Sequence, residues 1–108
     1  MKARIAGAGW VTPLGTEIHV VWQKIKGGIR AEDSELTHPV HARKLLVRRV
    51  PIDALEGVDR IPRLRRSSAL SHFAVAAARA AIADAGLTDR LPAATAVIFG
   101  VSNGGVIY

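Results

Sequence analysis

The sequence predicts an α/β layered fold, and three observations carry that expectation. Apolar runs divided by glycine and proline give the order strand, helix, irregular basic stretch, helix, strand. The second helix, Ser67 to Gly86, is apolar on almost every face, so it calls for covering layers on both sides. The 108 residues are 49% hydrophobic, a globular composition that fits at most one domain.

Ala3 to Ala8 reads as a short buried strand ended by Gly7 and Gly9. A dinucleotide fingerprint would need a third glycine where Thr12 stands, followed here by Pro13, so Gly7-Ala8-Gly9 reads as a tight turn. Thr12 to Thr16 is a second turn. Thr16 is the expected cap of the next helix, with Glu17 near its positive end. Val20, Val21, Ile25 and Trp22 give that helix a core face, and Gly27-Gly28 stops it.

From Ile29 to Pro62, Pro39, Pro51 and Pro62 interrupt the pattern, and Lys44 to Val50 reads as an edge strand with basic flanks. His38 and His41 have a metal-ligand spacing, but Pro39 lies between them and no third ligand is near, so they read as surface histidines. Ile61 to Arg66 is a basic stretch directly before the second helix. Positive charge at a helix start opposes the dipole and invites a functional reason.

Ser67 or Ser68 caps the second helix and Gly86 ends it. Leu70, Phe73, Ala74, Ala77, Ala81, Ile82 and Ala85 form its core stripe. Ala69, Ala76, Ala80 and Ala83 lie opposite or on the flanks, and Arg79 and Asp84 are its only charges. Ala96 to Gly100 is the last expected strand, buried, with Ser102 to Gly105 at its end, where open α/β sheets place ligands.

The net charge is +6, from 15 Lys and Arg against 9 Asp and Glu, which favours an acidic partner. There is no cysteine, which removes disulfides, thiolate metal sites and a cysteine nucleophile within these residues. Ser102 as a nucleophile would need a neighbouring base, and the sequence identifies none. No signal peptide or membrane-spanning run is evident, so a cytoplasmic address is expected.

Four stretches, taken in order, carry a resemblance: Ile5 to Gly15 (IAGAGWVTPLG), the helix with Trp22 that ends at Gly27, Arg65-Arg66 through Phe73-Ala74 to Leu87, and Val97 to Gly100 before Gly104-Gly105. Together they resemble the start of a β-ketoacyl synthase, the condensing enzyme of fatty-acid and polyketide synthesis. The resemblance implies the thiolase-like layered fold, with the alanine-rich helix as a buried central element. It further implies that residues 1–108 are the N-terminal portion of a ketosynthase domain, incomplete as given.

The family condenses acyl groups by decarboxylative Claisen chemistry, using a cysteine and two histidines. None of His19, His38, His41 and His72 matches those histidines, so no catalytic residue is assigned here, nor any cofactor or metal. The resemblance places carrier-docking charge at Arg65 and Arg66, with Arg63 in support, and makes an acidic acyl carrier protein and a homodimer or ketosynthase-like subunit the expected partners. It places Ser102, Asn103, Gly104 and Gly105 in a loop at the acyl pocket or dimer interface. Ser67 and Ser68 stand where the family commonly has Met-Asp, and Asn103 replaces a common apolar pocket residue. The second change points away from an ordinary straight-chain fatty substrate, toward a specialised synthase or a non-condensing relative.

Two other functions compete. One is a nucleic-acid-binding module using Lys44, Arg48, Arg49, Arg63, Arg65 and Arg66, which the scarcity of nearby aromatics for stacking disfavours. The other is a dimerisation piece without chemistry, which the missing cysteine permits.

Overall fold

Glycine-poor runs bounded by turn residues become two helices and one hairpin in the computed structural model, which describes residues 1–87 and 90–102. In order these are α1 (Ile18–Lys26), β1 (Ser34–Thr37), β2 (Lys44–Val47) and α2 (Ala69–Asp84), with short 3-10 turns at Ile52–Leu55 and Pro62–Leu64. The chain is therefore mixed α/β, and its sheet among the described residues is a two-stranded antiparallel hairpin. No helix among them is long and apolar enough to cross a membrane.

The turn before α1 closes with two backbone bonds between Thr12 and Gly15, at 3.1 and 3.0 Å. Gly15 has φ +127°, a conformation that disfavours any side chain. Glu17, rather than the expected Thr16, is the N-cap of α1. Its backbone is extended, and its carboxylate accepts from the amides of His19 and Val20 at 3.2 and 2.8 Å. A longer acidic side chain thus reaches back over the first turn and also complements the dipole. Lys24 and Lys26 sit in the last turn, and Lys24 Nζ donates to the Leu14 carbonyl at 3.0 Å, tying helix to turn. Of the expected core face only Val21 is buried; Val20, Trp22 and Ile25 stay about half exposed.

Lys44–Val47 forms the strand read from the β-branched run, three residues shorter than expected, and it pairs with Ser34–Thr37 in the register Ser34 to Val47 and Thr37 to Lys44. The partner strand had no sequence signal, since its side chains are largely solvent-facing and no alternation of buried positions marks it. At the hairpin tip His38 Nδ1 accepts from the amides of Val40 and His41, and the two imidazoles stack at 4.9 Å.

Two expected strands are absent. Ala3 to Ala8 forms no ladder because its backbone lies on α2 instead. A Cβ on Gly7 would stand 2.4 Å from the Ala81 carbonyl oxygen, and Ala8 donates its amide to Asp84 Oδ2 at 2.9 Å. Ala96 to Gly100 is neither paired nor buried, and Val97, Ile98 and Phe99 are mostly exposed. A strand needs a partner edge to satisfy its amides, and no described segment supplies one.

α2 matches the expected extent, with Ser68 at the N-cap position and Gly86 at φ +69° just beyond its end. Its first face receives the Gly7-Ala8-Gly9 backbone, and a second faces Ala54, Gly57 and Val58 across a shallow groove bordered by Ala76, Ala80 and Ala83. Within the chain the helix expected as a buried central element is only partly covered, and none of its residues is fully buried. Val21 and Val58 are the buried hydrophobic side chains among the described residues. The accessible surface is 9516 Å², against about 5,800 Å² for a folded monomer of this size. The radius of gyration, 16.3 Å, likewise exceeds the roughly 13 Å of a compact domain.

Candidate functional site

The basic stretch before α2 is a chain of tight turns. Ile61 donates to the Val58 carbonyl at 3.1 Å, Leu64 to Ile61 at 2.9 Å, Arg65 to Pro62 at 3.4 Å and Ser67 to Leu64 at 3.0 Å. Pro62 stands early in this run, where its missing N–H costs nothing and its fixed φ favours the turn. Val58 is buried, and Ile61, Leu64 and Ser67 are half-buried, so the stretch is anchored on one side. Arg63, Arg65 and Arg66 fall between the anchors and are all exposed.

None of the three arginines has an ion-pair partner among the described residues. The first turn of α2 contains no acidic residue, and Ser68 makes no side-chain capping bond. Positive side chains and the positive helix end are therefore adjacent and uncompensated, an arrangement that attracts anions and costs stability without one. Ser67 does not cap the helix either. Its hydroxyl donates to the Leu64 carbonyl at 2.7 Å.

Two other basic residues are in a different state. Lys44 pairs with Glu35 at 3.2 Å and Arg48 with Asp33 at 3.1 Å, both within or beside the hairpin. An open groove of about 580 Å³ beside Phe73 is lined by Arg48, Arg49, Ile52 and Leu55, but Asp59 lines it too. With Arg48 already held by Asp33, the groove has no clear excess of positive charge. Arg49 is also exposed and, among the described residues, without an ion pair, but Asp59 lines its groove, whereas the turn brings three such cations together before a helix with no acidic residue in its first turn.

Ser102 is exposed, and no hydrogen bond among the described residues joins it to the arginine turn. Asn103, Gly104 and Gly105 lie outside the described residues. No three histidine, cysteine or acidic side chains among the described residues converge to hold a metal.

One participant escaped the sequence. His72 Nε2 lies 2.8 Å from the Leu64 carbonyl oxygen, so the ring reaches back from α2 to the middle of the arginine turn. Eight residues separate the two across a change of chain direction, and no periodicity signals such a contact. No family model, curated protein or solved structure matches the chain.

Proposed function

We propose that the chain is part of a condensing enzyme of the β-ketoacyl synthase kind, and that the turn bearing Arg63, Arg65 and Arg66 docks an acidic acyl carrier protein. The observation that carries the reading is the exposure of three unpaired arginines beside the positive end of α2. Complementary charge of this sort raises the encounter rate and fixes the approach more than it adds affinity. Two stretches on which the resemblance rests, Ile5 to Gly15 and the alanine-rich helix, also pack on one another through Gly7 and Gly9.

Acyl transfer itself is not assigned to these residues. Decarboxylative condensation needs a thiol to hold the acyl group, and the chain contains none. The role proposed is recognition of the carrier, with a further copy or a ketosynthase-like subunit as second partner and the cytoplasm as its place.

Titration of the chain with a purified acyl carrier protein at low and high salt tests the reading. Binding that weakens with added salt is the expected result. Absence of binding at low salt, together with salt-dependent binding to duplex DNA, would replace it with the nucleic-acid reading.

A further inference from the structure

We propose that His72 is the positioning residue of the arginine turn, fixing Arg63, Arg65 and Arg66 against α2 through the Leu64 carbonyl; the inference rests on the docking reading above. Leu64 is flanked by Arg63 and Arg65, and its carbonyl oxygen accepts three donors: the Ser67 amide at 3.0 Å, the Ser67 hydroxyl at 2.7 Å and His72 Nε2 at 2.8 Å. The two serine bonds are local and hold the turn to itself, whatever its tilt. The histidine bond alone of the three comes from inside α2, so it sets how the turn lies on the helix.

The chemistry fixes the ring's state. A carbonyl oxygen only accepts, so His72 must carry a proton on Nε2. The ring is half-buried, and the helix that carries it is held in turn by the Gly7 and Gly9 backbone. What the bond orders is the backbone from which three long, flexible side chains project. An anionic partner then meets the charges already arranged, and less ordering is left to the moment of binding. A residue that merely fills space at position 72 would do none of this.

The test compares the wild-type chain with His72→Ala and His72→Gln, glutamine keeping a side-chain N–H donor. Three quantities are read: the imidazole tautomer by long-range ¹H–¹⁵N spectroscopy, hydrogen exchange of the Ser67 amide, and affinity for a purified acyl carrier protein at low salt. We expect a wild-type ring protonated on Nε2. We expect His72→Ala to speed Ser67 exchange and weaken carrier binding by roughly two- to tenfold, the worth of one hydrogen bond, and His72→Gln to restore both. An Nδ1–H tautomer, unchanged exchange and affinity in His72→Ala, or a glutamine variant as impaired as the alanine one would each overturn the proposal. Should the alanine variant fail to fold, the tautomer and the glutamine variant decide. If wild type does not bind the carrier while exchange responds as expected, the docking reading falls alone and the positioning of the turn stands.

Discussion

Gly9 and Ala77 approach so closely that a Cβ on Gly9 would stand 2.3 Å from the Ala77 carbonyl oxygen and 2.5 Å from the Ala81 amide nitrogen. Those neighbours are helix backbone, which cannot rotate away as a side chain would. Gly9→Ala and Gly7→Ala are each expected to destabilise by about 1 to 3 kcal/mol, the usual range for overpacking. Thermal or urea unfolding followed by helical circular dichroism measures this. An unchanged midpoint in both variants would show that the opening segment does not lie on α2.

Asp84 places a negative charge at the negative end of α2, which is unfavourable. Its compensation is the amide of Ala8, which it accepts at 2.9 Å. Asp84→Ala loses that bond, worth about 0.5 to 1.5 kcal/mol, but also relieves the dipole conflict by about 0.3 to 1 kcal/mol, so its net cost should be below about 1 kcal/mol. Asp84→Asn keeps an acceptor and removes the dipole conflict, so its midpoint should match or slightly exceed wild type. If alanine and asparagine behave alike, the bond to Ala8 contributes nothing.

The alanine-rich helix was legible because its signals are local: capping-type serines before it, unbroken helix formers within it, and Gly86 where a left-handed residue is needed. Val21 was likewise legible from helical spacing. Ala3 to Ala8 reads as a strand although it lies on α2, because a short apolar run looks the same in either setting. The deciding fact, an alanine surface on α2 that accepts glycine backbone, lies roughly seventy residues away. Ser34–Thr37 was invisible for the opposite reason, since a solvent-facing strand carries no burial pattern. At the site, the exposure of the arginines could be read from their density, whereas the bond from His72 to Leu64 depends on how the turn folds back.

Exposed apolar surface should make itself felt in solution. Val20, Trp22, Ile25, Leu46, Ile52, Val97, Ile98 and Phe99 are all exposed, and the accessible area of 9516 Å² exceeds that of a folded monomer of this size by about 3,700 Å². The chain is expected to bind a hydrophobic dye and to associate as its concentration rises, both readable by fluorescence and sedimentation. A monodisperse monomer that leaves the dye dark would contradict this.

Charge reversal at the turn bears most directly on function. Arg65 and Arg66 are adjacent, exposed and unpaired, with Arg63 two positions away. Each exposed pair formed with an acidic partner is worth only about 0.2 to 1 kcal/mol, and reversal adds a repulsion of similar size, so Arg65→Glu alone should weaken carrier binding by about two- to thirtyfold. The double change to glutamate turns two attractions into two repulsions in the same small region. It should lower affinity by about the product of the single effects and flatten the salt dependence, since much of the steering field is removed. The same substitutions place acid beside the positive end of α2, where it stabilises the helix. The double variant should therefore melt no lower than wild type, which separates lost docking from lost folding. Carrier titration at two salt concentrations, paired with a melting curve, gives both numbers. A double variant that binds the carrier with wild-type affinity and salt dependence would remove the turn from the docking surface.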